Sequence, residues 1–240
     1  MRIATWNLQA DRKLTKEREA LFQKAMQEID ADVWVITESW TNRCLISDYS
    51  LVSQSCEASD IEPHRRWVAI WSRLDSEPLE VKHQPDRMAC GRITNSGQQH
   101  VVVIGTVLPW QFDRLWRYSD GFCRALDIQA LEWRRLSEEY EGCDFVVAGD
   151  FNQALPRRRY YGSRQNETAL NDVMESLDLF CPTVGNDWLT AKPRIDHIVT
   201  RREGLGSPVV VNAGGWQVPS IDGKPITDHS GVYIDLASQP

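Results

Sequence analysis

Polar side chains close a series of apolar, strand-like runs in this chain. Asn7 ends RIATWN, Glu38 follows WVIT, and Asp150 and Asn152 flank Phe151 in VVAGDFNQ. Asp196 lies early in RIDHIVT, and Asp228 and His229 in ITDHSGV open the last apolar run. Carboxylates with a carboxamide are hard oxygen donors. They suit Mg²⁺, which is held by one or two carboxylates plus water and substrate phosphate, and Mn²⁺ is a possible substitute. A His beside an Asp offers a base or a phosphate-facing imidazolium, and a second carboxylate can orient its ring. Together these groups are what phosphoester hydrolysis needs. Singly they say little, because a strand-terminal Asn or Asp commonly does no more than close an Asx-turn. Glu38 alone reads equally well as a solvated acid. GDFN is more pointed: Gly149 allows close backbone approach, and Phe151 should turn into the core between two polar neighbours.

The elements that must position these groups follow from hydrophobic periodicity. Strands are expected at Arg2–Leu8, Val33–Thr37, Trp67–Ser72, His100–Val107, Phe145–Gly149, Ile195–Thr200, Val209–Asn212 and Gly231–Leu236. Val232, Ile234 and Leu236 alternate with Tyr233 and Asp235, the period of a strand with one buried face. Helices are expected over Lys16–Ile29, Gly121–Tyr140 and Thr168–Leu177, each with an apolar stripe at i, i+4 spacing. Strands alternating with amphipathic helices give an α/β or α+β domain with helices outside the sheets. Neighbouring strands run about 4.8 Å apart, so strand ends along one edge converge on one cleft. The ten tryptophans read as packing at layer interfaces.

Composition narrows the class. At ~150 residues per domain, 240 residues make one large domain or two small ones. The 42% hydrophobic fraction is too high for a disordered chain. No repeat or linker divides the sequence, so a single domain over residues 1–240 is expected. The net charge of −7 argues against sequence-independent nucleic-acid binding driven by the whole molecule's field, but it leaves room for a local basic patch. The strongest apolar stretch, Val101–Trp110, is far short of the ~20 residues that span a bilayer. Asp11 arrives too soon for a signal-peptide core, and a soluble cytoplasmic protein is expected. The six scattered cysteines form no CxxC pair and read as reduced thiols.

Taken in order, WN, a strand ending in Glu, GDFN, RID and TDH resemble the endonuclease/exonuclease/phosphatase superfamily with the DNase I-like fold. The resemblance runs from Arg2 to about Leu236, and RRWVAIWSR is similar to that family's third strand. It implies a four-layer α/β sandwich: two mixed β-sheets face to face with helices outside. It implies that Glu38 is the principal Mg²⁺ ligand with Asn7 beside it and Asp228 near the metal. Asp150 and Asn152 match the family's Asp-x-Asn pair, which handles the attacking water and holds the phosphate. His229 matches the catalytic His, and Asp196 matches the Asp bonded to it.

One position departs from the family. Members usually carry His or Tyr at the end of the strand that reads VVVIGTVLPW here, and the aligned residue is Val107. Gln9 stands where some members place an acid. Beyond GDFN, Arg157, Arg158, Arg159 and Arg164 interleave with Tyr160 and Tyr161. This is either a phosphate contact with tyrosines for base stacking or a solvated loop paired with acids such as Glu167. The expected activity is Mg²⁺-dependent phosphodiester hydrolysis, first in DNA or RNA. The alternatives are a phosphatase or phosphodiesterase for a small phosphorylated molecule or lipid headgroup, and a binding protein that keeps the cleft without turnover.

Overall fold

The computed structural model describes residues 1–95, 97–113, 116, 120–155, 161–184, 194–202 and 209–237. Two six-stranded mixed sheets form its frame. The first has the spatial order β11 (Val210–Trp216), β14 (Gly231–Leu236), β1 (Arg2–Asn7), β2 (Val33–Trp40), β4 (Arg65–Ser72), β3 (Ser50–Gln54). The second runs β5 (Ser76–Leu79), β6 (Met88–Thr94), β7 (His100–Val107), β8 (Asp144–Asp150), β10 (Asp196–Arg201), β9 (Leu179–Phe180). A separate hairpin joins β12 (Ser220–Ile221) to β13 (Lys224–Pro225).

Three apolar clusters define the layers. Ile3, Val35, Val68 and Val232 of the first sheet meet Val101, Val103, Val146 and Ile198 of the second. Helix α1 (Lys16–Ile29) covers the outer face of the first sheet through Phe22, Ala25 and Met26 against Trp6, Trp34 and Trp71. Helices α2 (Gly121–Glu139) and α3 (Arg164–Ser176) cover the second through Phe122, Leu126, Trp133, Leu170 and Met174. Helix, sheet, sheet, helix is the expected four-layer sandwich.

The topology explains where the polar strand ends go. Strands β1 and β2 are parallel and flank α1 in sequence; β7 and β8 are parallel and flank α2. Each is a βαβ unit, and each delivers the C-terminal ends of its two strands to one edge. Asn7, Glu38, Val107 and Asp150 sit at or near those ends. The antiparallel β10 begins at the same edge, with Asp196 opposite Asp150, and Asp228 and His229 lie just before β14. Seven residues more than 200 positions apart at the extremes therefore share one rim.

The local differences from expectation have local causes. Besides the two-residue strands β9, β12 and β13, strands β3, β5 and β6 are absent from the periodicity reading. Their sequences SLVSQ, SEPL and MACGRIT break alternation with Ser, Pro, Gly and charge, and β5 survives because an edge strand tolerates Pro. Helix α3 starts at Arg164 rather than Thr168, because the Ser163 hydroxyl accepts a hydrogen bond from the Asn166 amide and caps a polar first turn that has no apolar stripe. No helix among the described residues is long and apolar enough to cross a membrane.

Gly105 in β7 sets how closely the sheets approach. A Cβ there would lie 2.4 Å from Val68 Cγ1 and 2.9 Å from Val35 Cγ1 of the facing sheet. Gly105→Ala is expected to lower stability by about 1–3 kcal/mol, the usual cost of overpacking. The urea midpoint reads this directly. Removing the obstructing methyls with Val68→Ala in the same chain should recover part of the loss; strictly additive losses would show that the sheets move apart freely.

Candidate functional site

The rim opens on a cleft of about 740 Å³. Glu38, Val107, Asp150, Asn152, Asp228 and His229 line it, with Gln9, Asp11, Trp67, Arg87, Trp110, Phe112 and Tyr161 among the other wall residues. Asn7 lies at its base, fully buried. The Asn7 amide nitrogen donates to Glu38 Oε1 at 2.9 Å and to Asp150 Oδ2 at 3.1 Å. Its oxygen accepts the Gln9 backbone N–H at 2.9 Å. An N–H cannot be matched with the amide nitrogen, so the side chain is fixed in this orientation. As placed, Asn7 holds the Glu38 and Asp150 carboxylates together through its amide nitrogen.

A second network meets the first from the opposite side. His229 Nδ1 lies 2.6 Å from Asp196 Oδ2, and Nε2 lies 3.7 Å from Asp228 Oδ1. The His229 carbonyl accepts the Trp6 indole N–H, and its backbone N–H donates to Thr227 Oγ1. The Thr227 hydroxyl donates in turn to the Asn7 carbonyl. Asp150 Oδ1 accepts the Asn152 backbone N–H, and the Asn152 amide donates to the Leu108 carbonyl at 2.9 Å. Phe151 between them is fully buried, as its place in GDFN requires.

The backbone is strained where it aims these groups. Gln9, Glu38 and Asn152 all have positive φ, at 49°, 45° and 47°. Non-glycine residues pay of order ~1–3 kcal/mol for such conformations and keep them only where the surroundings enforce them. The Glu38 carbonyl is turned to accept the Ala10 N–H, which ties β2 to the loop after β1. Buried Arg18 clamps that loop: its guanidinium donates to the carbonyls of Leu8, Gln9, Arg12 and Ile226. Burial lowers the Arg18 pKa to about 10. Periodicity assigns Arg18 only to a helix face; nothing local in the sequence marks it as the staple of two site loops.

Electrostatics follow from crowding acids in a buried place. Desolvation raises the Glu38 pKa, with repulsion from Asp11 and Asp228 adding to it and the Asn7 amide and His229 opposing it. Desolvation also raises Asp150, to about 7, with Asp196 and Glu38 adding and His229 opposing. Burial by itself would lower His229, but Asp196, Asp150 and Asp228 outweigh it and hold the ring's pKa well above its ordinary value. The surrounding carboxylates thus favour the imidazolium form of His229 over the neutral ring.

The donor set fits a hard divalent cation. Ligand atoms of Asp150, Asp196 and His229 all fall within 4.8 Å of one another. His229 and Asp196 are engaged with each other through the Nδ1 hydrogen bond, which leaves Glu38 and Asp150, bridged by Asn7, as carboxylates whose raised pKa values a cation would reverse. Asp196 Oδ1 is buried without a hydrogen-bond partner among the described residues, so Asp196 has capacity beyond His229.

Other positions named from sequence fall elsewhere. Arg157, Arg158, Arg159 and Tyr160 lie outside the described residues. Arg164 is the first residue of α3, exposed, and not among the cleft lining. Tyr161 does line the cleft, and burial, with Asp150 and Asp228 nearby, raises its pKa to about 12. Reading every tryptophan as packing is corrected at Trp110. It is 43% exposed on the cleft wall, whereas Trp6, Trp34 and Trp133 are buried. Val107 is buried and lines the cleft beside Asp150, its register partner in β8. The six cysteines are free thiols.

Comparison with known proteins agrees with this geometry. A profile described as the endonuclease/exonuclease/phosphatase family matches residues 4–229. No curated protein sequence matches the chain. Among solved structures, an AP endonuclease from Leishmania major aligns with TM-score 0.70 at 14% identity, covering 100% of this chain and 88% of its own. D. rerio TDP2 complexed with a single-strand DNA product aligns with TM-score 0.67 at 16% identity, covering 99% of each chain. A mannosyl-6-phosphatase from Bacteroides thetaiotaomicron aligns with TM-score 0.66 at 12% identity, covering 99% and 100%. At these identities the likeness establishes the fold.

Glu38→Gln separates the cation's contribution from the fold's. Gln keeps the oxygen that accepts the Asn7 amide but cannot ionise. Because the folded Glu38 pKa is raised, the proton stabilises the folded state, and stability falls as pH rises from the unfolded carboxyl value through the folded one. Metal-free Glu38→Gln is therefore expected to melt higher than wild type at pH 8. Mg²⁺ or Mn²⁺ should raise the wild-type Tm and leave the variant's nearly unmoved. Equal Tm gains in both proteins would remove Glu38 from the metal site.

Proposed function

Given that the chain belongs to the endonuclease/exonuclease/phosphatase family, a family of phosphoester hydrolases, we propose that it is a Mg²⁺-dependent phosphodiesterase acting on nucleic acid as a single catalytic domain. The observation that carries this reading is the junction of two networks in one cleft: Asn7 bridging Glu38 and Asp150, and Asp196 paired with His229. Glu38, with Asp150 and Asp228 nearby, would hold the cation, which supplies Lewis-acid stabilisation of charge on the phosphoryl and departing oxygens.

The chain's own groups have distinct tasks. Asp150 takes a proton from an attacking water; burial raises its pKa to about 7 in the metal-free protein, and beside a cation that value falls, so the carboxylate stays ionised at neutral pH. Asn152 uses one amide hydrogen on Leu108 and keeps the other for a phosphate oxygen. His229, held as an imidazolium by Asp196, faces the phosphate as a cation and stabilises the charge that builds in the transition state. Asn7 keeps the carboxylates at fixed separation. Arg157, Arg158, Arg159 and Arg164 are proposed as contacts to phosphates farther along a polymeric substrate. The phosphatase and binding-protein readings share the fold; hydrolysis of a phosphomonoester with no turnover of any diester would favour the first.

His229→Ala and Asp196→Asn should each lower kcat/KM by at least ~100-fold, and the double variant should be little worse than either, as for residues that act as a unit. Losses that multiply would show separate roles.

Val107 generates a further expectation. Valine cannot protonate or bind a departing alkoxide, so leaving-group stabilisation rests on fewer groups. Bis(p-nitrophenyl) phosphate should be cleaved far faster than a dialkyl phosphodiester, and the rate should rise with pH as Asp150 ionises, at a lower pH than the about 7 of the metal-free protein because the cation favours the carboxylate. A rate indifferent to leaving-group acidity would show that a side chain supplies the proton.

A further inference from the structure

Beyond Val107 the chain runs through Leu108 and Pro109 to Trp110, with Phe112 two residues on, and returns to the cleft wall at the two aromatics. Trp110 and Phe112 are among the most exposed large apolar side chains of the described residues, at 43% and 66%. They pack on each other edge to face, with ring centroids 5.4 Å apart, and both line the cleft. Exposed aromatics on a loose loop would be unremarkable, but this loop is anchored at both ends. At one end the Leu108 N–H donates to the Asp150 carbonyl and the Leu108 carbonyl accepts from Asn152. At the other, the Asp113 carboxylate accepts from fully buried Arg87 at 2.8 Å, whose guanidinium lies 4.1 Å over the Trp67 ring. Two flat apolar faces are thus held at a fixed offset from the residues that handle the phosphate.

Charge indicates what those faces must do. Among the described residues the cleft is lined by the acids Asp11, Glu38, Asp60, Asp113, Asp150 and Asp228 against Arg65 and Arg87. Arg87 is neutralised by Asp60 and Asp113, and Arg65 pairs with Glu62. These walls do not draw in a phosphate backbone by charge. On these described walls, affinity beyond the metal and His229 comes from a source other than charge, and aromatic faces supply it to bases, since every base has a π-face.

Resting on the nucleic-acid reading above, we propose that Trp110 and Phe112 are a stacking platform for the unpaired base next to the scissile phosphate, and that the substrate is single-stranded. A base in a duplex is stacked on its neighbours and cannot lie on this wall without being extruded. Trp110 and Phe112 therefore set strandedness, while the carboxylate and His229 networks set the chemistry.

Binding of fluorescein-labelled oligothymidylate is compared with binding of an abasic oligonucleotide of equal length and of a blunt duplex, by anisotropy, in chelator so that no turnover intrudes. Wild type should prefer the base-bearing strand over the abasic one by about 5- to 100-fold, the range of one or two stacked bases. That ratio should persist as salt rises. Trp110→Ala/Phe112→Ala should bring it close to one, Trp110→Phe should restore part of it, and Leu131→Ala, an equally exposed apolar residue on α2, should leave it unchanged. Circular dichroism confirms that the variants are folded; if the double variant is not, Phe112→Ser alone should still lower the ratio. A ratio near one in wild type, an undiminished ratio in the variants, or tighter binding of the duplex would each overturn the proposal. So would a wild-type dimer that the double variant converts to monomer, because it would assign the aromatics to an interface between two copies. Absence of cleavage when Mg²⁺ is restored, with the base preference intact, would count against the hydrolase reading and leave the platform standing.

Discussion

The Asn7 amide is the contact on which the site depends. Asn7 and Glu38 belong to the first sheet and Asp150 to the second, so one NH₂ group joins carboxylates across the sandwich. The His229–Asp196 pair crosses in the same way, from the segment before β14 to the first residue of β10. Neither half of the molecule contains a site by itself. The chemistry exists only while the inter-sheet core of Ile3, Val35, Val68, Val103, Val146 and Ile198 keeps the sheets in register, and Gly105, with no side chain, permits their close approach.

This arrangement is costly and the costs are local. Carboxylates crowded in a buried rim are desolvated and repel one another, which raises Glu38 and Asp150. Positive φ at Gln9, Glu38 and Asn152 adds strain at the same place. The compensation is equally specific: an imidazolium between acids, an amide with both faces used, and Arg18 pinning two loops through four carbonyls. A divalent cation would relieve the remaining repulsion. Sites that must stabilise developing charge are built this way, because a fully relaxed pocket has nothing left to offer the transition state.

The sequence disclosed most of this through residues whose neighbours are local. Strands His100–Val107 and Gly231–Leu236 and helix Lys16–Ile29 have the bounds that periodicity assigns them. The residues of the candidate site stood out because Asn7, Glu38 and Asp150 close apolar runs while Asp196, Asp228 and His229 open them, and a common edge follows once those runs are strands. What escaped notice is non-local. Asp60 and Asp113 reach the cleft through Arg87, a buried cation flanked in sequence by nothing that announces burial. Strand β6 carries Gly and Arg among its apolar residues and is a strand because β5 and β7 pair with it on both sides. Trp110 was indistinguishable from the other tryptophans, since exposure is a property of the fold and not of the residue.

The two networks and the aromatic wall tolerate change differently. Altering Asn7, Asp150, Asp196 or His229 leaves a buried charge or amide without its partner, a loss paid in both stability and function. Trp110 and Phe112 are solvent-facing, and their loop is held by Leu108 and Asp113, not by the aromatic rings. Replacing them disturbs neither the core nor the hydrogen bonds of the site. Val107 extends the same wall toward Asp150 and keeps it apolar up to that carboxylate. Physical freedom is thus concentrated on one side of the cleft. The groups that act on phosphate are locked together across two sheets, while the surface that meets the rest of the substrate can be rebuilt without unfolding the protein. On the reading proposed above, discrimination among phosphoesters in this chain belongs to the strand end that carries Val107 and to the loop beyond it.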